Sequence, residues 1–206
     1  MSNSEQKVFI IDDDDAVRDS MSMLLETMGL PHQCYISADD FLDNYDGNQR
    51  GCLVLDIRMS GINGLELQQR LKDMNAFLPI IFITGHGDVP MAVEAMRQGA
   101  MDFLRKPIRE QDLLERIQEA LDYEKGIRDE LREREESKRK LLTLTTRERD
   151  IFERVADGHA NKVIALELGI SERTVEVHRS QVMRKLEVRS LAQLVRIRLE
   201  MKNAID

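Results

Sequence analysis

Tryptophan is missing altogether, and the aromatic share of the 206 residues is 4%. With charged residues at 33%, that scarcity leans the class toward a soluble, helix-rich protein. Two cysteines, Cys34 and Cys52, lie in strand-like runs without metal-ligand spacing, so both are expected to be reduced, structural thiols. No apolar run approaches the roughly 20 residues of a membrane span, and no charged-then-apolar leader opens the chain. Both absences favour the cytosol. At this length the chain can hold one large domain or two modest ones.

What is present is acid, unevenly spread. Of a formal net charge of −8, residues 1–122 carry 22 acids against 11 bases, residues 123–142 carry 6 against 7, and residues 143–206 carry 10 against 12. An acidic front and a mildly basic back argue for two domains with different partners. So small a basic excess means that DNA binding requires clustering on one face or doubling by dimerisation.

Residues 1–122 alternate between two patterns. Strand-like runs occupy 8–11, 33–36, 52–56, 80–84 and 101–104; helical patterns occupy 16–28, 38–45, 65–74, 89–98 and the stretch from Glu110 onward. In the first helix Val17, Met21, Leu24, Leu25 and Met28 share one face. Five β-α units predict a doubly wound parallel sheet with right-handed crossovers. The order 2-1-3-4-5 sets the first and third strands side by side, with the crevice outside their carboxyl ends.

Acid is concentrated at those ends. Val8-Phe9-Ile10-Ile11 runs into Asp12, Asp13, Asp14 and Asp15, while Cys52-Leu53-Val54-Leu55 ends in Asp56, with Ser60-Gly61-Ile62-Asn63-Gly64 beyond. Asp56 and one or two of these aspartates then converge. Three carboxylates within a few ångströms repel, and such a cluster calls for a divalent cation. Any single aspartate there reads as a helix N-cap or a solvated residue, and Asp14 or Asp15 suits the cap of the first helix. The cluster as a whole does not. Thr84 and Lys106-Pro107 stand at the ends of the last two strands. Alone they read as a turn hydroxyl and a surface lysine; together they place a hydrogen bond and a point charge opposite the aspartates, suited to a phosphoryl group. A cis Lys-Pro bond would aim the lysine inward.

From residue 109 to about 140 the pattern is helical and changes character. Leu113, Leu114, Ile117, Ala120 and Leu121 form an apolar stripe, but beyond Tyr123 almost every residue is charged, with Glu124–Arg128, Glu130–Arg134 and Glu135–Arg139 at i,i+4. A helix polar all round bridges domains through solvent, so residues 123–142 read as a linker. Gly126 and the sparse Ile127 and Leu131 weaken a coiled coil. Residues 143–206 read as four short helices. Thr145 or Thr146 starts the first, Asn161 to Leu168 forms the second, Ser171 starts the third and Ser190 the fourth. The second and third, joined through Leu168-Gly169-Ile170-Ser171, form a helix-turn-helix pattern.

Asp12-Asp13, Asp56, Thr84 and Lys106-Pro107, in this order and spacing, resemble the receiver domain of two-component response regulators over roughly residues 7–122. The resemblance implies a flavodoxin-like fold in which Asp56 accepts phosphoryl from a sensor histidine kinase. It implies that Asp13, Asp56 and the Arg58 carbonyl hold Mg²⁺, with Asp12 acting through water. Thr84 and Lys106 would contact the phosphoryl group, and Phe103 would rotate inward when Thr84 is drawn to it. Arg58 and His86, two residues beyond Asp56 and Thr84, match positions that tune acyl-phosphate lifetime. Ser60 departs from the pattern by replacing the usual proline after methionine, and a looser loop is expected there.

A second resemblance covers residues 143 to about 199. Leu144-Thr145-Thr146-Arg147-Glu148-Arg149, Asn161-Lys162-Val163-Ile164-Ala165 and Arg173-Thr174-Val175-Glu176-Val177-His178-Arg179 resemble a LuxR-type helix-turn-helix. With Gly85-His86-Gly87-Asp88-Val89-Pro90-Met91 in the front domain, the whole is similar to the FixJ-type branch. Val175, Val182, Met183 and Leu186 are expected in the core. Glu176, Val177, Arg179 and Ser180 are expected on the face that enters the major groove. Glu176 suits cytosine N4 and Val177 a thymine methyl. Lys162, Arg173 and Arg179 suit phosphates, and Thr174 joins the candidate contacts. His159 and His178, with no second ligand at metal spacing, read as structural.

These resemblances imply a cytoplasmic DNA-binding regulator and not an enzyme. Its expected partners are a histidine kinase, double-stranded promoter DNA, RNA polymerase and, on phosphorylation, a second copy; no membrane is among them. The switching face is expected over residues 91–121. A haloacid-dehalogenase-like phosphatase is the rival, since Asp12-Asp13-Asp14 fits its Asp-x-Asp motif, but it leaves Asp56 and Thr84 unexplained. A regulator that binds DNA without phosphate is the milder alternative.

Overall fold

The structure is a computed structural model that describes residues 5–85 and 89–202. It divides into two compact units, one ending at Ile127 and the other starting at Arg128. In the first, β1 (Lys7–Ile11), β2 (His32–Tyr35), β3 (Gly51–Asp56), β4 (Ile80–Thr84) and β5 (Asp102–Arg105) form one sheet in the order β2-β1-β3-β4-β5, every neighbouring pair parallel. The intervening helices are α1 (Asp15–Thr27), α2 (Ala38–Asp43), α3 (Gly64–Asp73) and α4 (Val89–Arg97), followed by α5 (Glu110–Leu142).

Successive side chains on a strand point to opposite faces, and here both faces are covered. Phe9, Ile11, Leu53, Leu55 and Phe82 pack on one side with Phe41, Leu67 and Ala95. Val8, Ile10, Val54, Ile81 and Ile83 pack on the other with Met21, Leu25, Leu113 and Ile117. Burial on two sides is why these strands read as unbroken apolar runs. Register then fixes the edge: Ile11 lies opposite Leu55, so Asp12 and Asp56 emerge at the same level of adjacent strands. Asp14 is the α1 cap, its side chain accepting from the Ala16 N–H at 2.9 Å.

In the second unit α6 (Thr146–Ala156), α7 (Asn161–Leu168), α8 (Glu172–Lys185) and α9 (Leu191–Lys202) enclose Ile151, Phe152, Ile164, Val175, Val182, Leu186 and Leu194. Gly169 ends α7 in the left-handed conformation (φ 64°), which glycine adopts without a Cβ penalty, and so sets the turn between α7 and α8. Ser171 caps α8, and Thr145 closes a capping box with Glu148 on α6.

Helix α5 corrects one expectation. It is not polar on every face beyond Tyr123: Glu124 is 1% exposed, and Leu141 is buried in the core of the second unit. Gln6 Nε2 donates to Glu124 Oε2 at 2.7 Å, and Arg50 Nη2 pairs with the same oxygen at 3.3 Å. Neither partner shares the helix, so i,i+4 spacing gave no sign of them. The pair Glu130–Arg134 does form, at 3.5 Å on the surface.

Candidate functional site

Where β1 and β3 end, Asp12, Asp13 and Asp56 each offer a carboxylate oxygen within 4.8 Å of the others. Asp12 and Asp56 are buried, whereas Asp13 is exposed. Both oxygens of Asp12 are engaged: Oδ1 accepts from the Asp14 N–H at 2.9 Å, and Oδ2 from Lys106 Nζ at 2.8 Å. Lys106 Nζ also stands 3.6 Å from Asp56 Oδ1, so one ammonium faces two carboxylates. The Lys106–Pro107 peptide is cis. Thr84, buried at the end of β4, accepts the Lys106 N–H on its carbonyl at 2.8 Å, which pairs the ends of β4 and β5, and its hydroxyl donates to the Gly85 carbonyl at 3.3 Å.

The electrostatics follow from burial. Desolvation is the largest influence on Asp56; Lys106 opposes it, but Asp12 and Asp13 add to it, and the carboxyl is pushed up from 3.8 to about 6. Burial works against the Lys106 charge, yet the bond to Asp12 and the field of Asp56 prevail and hold its ammonium above the ordinary lysine value. The pocket thus has acid in excess. Three hard oxygen donors grouped this closely, two of them withdrawn from water, suit a small divalent cation that keeps some of its own waters. Mg²⁺ is a cation of that kind, and this donor set fits it.

Other residues singled out from the sequence fall around the pocket. Arg58 stands in the exposed turn just after β3. Phe103, on β5, is 40% exposed and so faces outward in this form. His86 lies outside the described residues, as do Gly87 and Asp88. Gly64 opens α3 where a Cβ would come 2.5 Å from the Asp56 carbonyl oxygen and 2.9 Å from the Phe82 ring, so only glycine lets the loop return this close to β3.

Two contacts went unseen in the sequence. Arg18 Nη1 donates to the Asp12 carbonyl at 2.5 Å. The Ser60 N–H and hydroxyl both donate to Asp13 Oδ2, at 3.0 and 3.1 Å. The loop expected to be loose for want of proline is instead tied to β1 through its serine.

In the second unit, Val175, Val182 and Leu186 hold the inner face of α8, while Arg173, Glu176, Val177 and Ser180 are exposed on the outer one. Arg184, seven residues after Val177 and four after Ser180, is exposed as well; helical spacing alone would have found it. Thr174 is half-buried, its hydroxyl 2.7 Å from that of Ser171, and Lys162 is exposed in the first turn of α7. Arg179 is more tied down than expected, donating through Nη1 to Asn161 Oδ1 at 3.0 Å across the two helices. His178 Nδ1 is buried without a hydrogen-bond partner, and His159 Nδ1 lies 3.7 Å from Glu167.

Residues 8–118 match the response regulator receiver domain family, and residues 142–198 match the bacterial regulatory proteins of the luxR family. Over 206 residues the chain is 42% identical to the response regulator protein TodT of Pseudomonas putida, covering all of this chain and 91% of that protein. It is 46% identical over 194 residues to the transcriptional regulatory protein FixJ of Azorhizobium caulinodans, covering 93% of this chain and 91% of that one. The solved structure of the response regulator StyR superposes with a TM-score of 0.84 at 43% identity, over 94% of this chain and 98% of StyR.

Proposed function

The chain belongs to the two-component response regulators that join a receiver domain to a luxR-family DNA-binding domain, and on that premise we propose that Asp56 is its phosphoacceptor. The family is one of transcription regulators, not enzymes, and its architecture implies a histidine kinase and DNA as partners. The observation that carries the proposal is the meeting of Asp12, Asp13 and Asp56 within 4.8 Å, with Lys106 Nζ reaching two of them. A phosphatase built on Asp-x-Asp has no support from this family, and Asp14 serves as the α1 cap.

In this reading an Asp56 carboxylate oxygen bonds to phosphorus as the bond from phosphorus to a kinase histidine nitrogen breaks. The electron pair of that bond returns to the nitrogen, and the imidazole, already protonated on its other nitrogen, leaves neutral. Asp13, Asp56 and the Arg58 carbonyl would hold Mg²⁺, with Asp12 acting through water, and the cation supplies positive charge to the phosphoryl oxygens. Lys106 offers a charge-assisted bond from the other side, and the Thr84 hydroxyl moves to the new phosphoryl oxygens. Phe103, now outward, turns in as Thr84 leaves. The added charge of about −1.5 to −2 shifts the preference of the face over residues 91–121 toward dimerisation or release of the output domain.

Residues 1–122 form the receiver in this proposal, 123–142 the linker and 143–206 the output domain, working in the cytoplasm. Two recognition helices of a dimer read half-sites about one helical turn apart, compensating the weak basic excess. Glu176, Val177 and Ser180 reach base edges, while Lys162, Arg173, Thr174 and Arg179 fix position on the backbone. Transcription is activated through RNA polymerase.

The test is a DNA mobility-shift titration with and without a small phosphodonor and Mg²⁺. Asp56→Asn is expected to lose the phosphodonor response and keep basal binding. A response of undiminished size in that variant rejects Asp56.

A further inference from the structure

Asp13 differs from Asp12 and Asp56 in one respect that matters to any cation held there: it is exposed. Asp12 and Asp56 are fixed by burial, and Asp12 is bonded through both oxygens. An exposed aspartate beside two other carboxylates has every electrostatic reason to swing into water when no cation is present. It is held instead by Ser60, 47 residues away, whose N–H and hydroxyl both land on Oδ2. Met59 and Ile62, each 8% exposed, anchor the turn on either side of Ser60. The backbone that carries the exposed serine is therefore held by core packing on either side and is not free to follow Asp13. With both donors on one oxygen, Oδ1 is left for another ligand.

Resting on the reading of this pocket as a Mg²⁺ site, we infer that Ser60 is a positioning residue that holds the Asp13 carboxylate in place for the cation. Proline at this position would have neither an N–H nor a hydroxyl, so both donors to Asp13 depend on residue 60 being serine rather than proline. A carboxylate restrained before the ion arrives loses less freedom on binding, and the gain appears as affinity.

Calorimetric titration of the full-length protein with Mg²⁺, in the absence of phosphodonor, tests the inference. Ser60→Thr, which keeps both donors, is expected to bind within about twofold of the parent. Ser60→Ala, which keeps the N–H alone, is expected to bind about fivefold more weakly, and Ser60→Pro about another fivefold below that, in line with one solvent-exposed hydrogen bond lost at each step. Thermal unfolding of the metal-free Ala and Thr variants is expected to match the parent, which separates positioning of the ligand from support of the fold. Parent-like or tighter Mg²⁺ binding by Ser60→Ala overturns the inference, whether or not Ser60→Pro folds. Asp13→Asn distinguishes the two levels. If it too binds like the parent, the cation assignment fails and this inference with it; if it loses Mg²⁺ while Ser60→Ala does not, the role of Ser60 alone is wrong.

Discussion

Asp56 and Glu148 are both buried carboxylates facing a lysine, and their environments push them in opposite directions. In the second unit, Glu148 Oε2 accepts from Lys185 Nζ at 2.6 Å and from the Thr145 N–H at 2.8 Å. The Lys185 bond, helped by Thr145, outweighs desolvation and holds this carboxyl below the ordinary glutamate range. In the first unit, burial dominates at Asp56, its lysine is shared with Asp12, and the carboxyl is pushed up to about 6. The difference is in the number of donors per acid. Glu148 has what a structural carboxylate needs, whereas Asp56 is short of positive charge, which a site awaiting a cation and a phosphoryl group requires.

Amide substitution should therefore give opposite signs at the two positions. The largest effect is expected at Asp56. Its folded-state value lies above that of the unfolded chain, so its contribution to stability is fully present below about pH 4 and is lost as pH rises through about 6. That shift corresponds to a loss on the order of 3 kcal/mol by neutral pH without metal. Denaturant unfolding in the presence of a chelator should show Asp56→Asn more stable than the parent at pH 7.5 by up to that amount, with the gap closing toward pH 4. Parallel pH profiles for the two proteins would remove Asp56 from the pocket described here.

Glu148→Gln should do the reverse. Because the Glu148 value is lowered, its contribution is present above the ordinary glutamate range and is lost as pH falls through the lowered value. The variant leaves Lys185 facing a neutral amide and weakens the capping box, a loss of about 2 kcal/mol in the second unit at neutral pH. Unfolding followed by a probe in that unit would measure it. A neutral or stabilising outcome would mean that the capping box carries no net energy and that the contrast with Asp56 is one of geometry alone.

Much of the fold and of the acidic site was legible in the sequence, but the Glu148 side of this contrast was not, and the limit is physical. Strand period, buried runs ending in Asp12 and Asp56, and the Thr145 and Ser171 caps are local signals, and the elements formed where those signals lie. Asp14 as a cap was among the readings left open, and its bond to the Ala16 N–H decides it. Missed were the contacts whose partners lie far apart in sequence: Ser60 with Asp13, Lys185 with Glu148, and Gln6 and Arg50 with Glu124. A buried glutamate within a charged run looks like its solvated neighbours until the chain folds, because periodicity reports the face and not what covers it. Arg184 was also missed but for a different reason, since spacing from Val177 and Ser180 would have placed it on the outer face of α8.

The smallest effect is expected at Gly126, which sharpens the comparison between the units themselves. Helix α5 is held in the first unit through Glu124, bonded to Gln6 and Arg50, and in the second through buried Leu141 and the Glu133–Arg196 pair at 3.1 Å. Gly126 lies just before the division between Ile127 and Arg128. A Cβ there would meet nothing within 4 Å, so no close approach requires the glycine. A glycine inside a helix costs about 1 kcal/mol relative to alanine, largely through the freedom it gives the unfolded backbone. Gly126→Ala should raise hydrogen-exchange protection of the amides over residues 125–132 by about fivefold, while leaving Mg²⁺ binding and the two acid-site pH profiles unchanged. If protection does not rise, opening of this stretch is limited by the anchored ends, and the two units open as one. If it rises as expected, helix propensity governs the stretch between the anchors, and each acid site can be read as the property of its own unit.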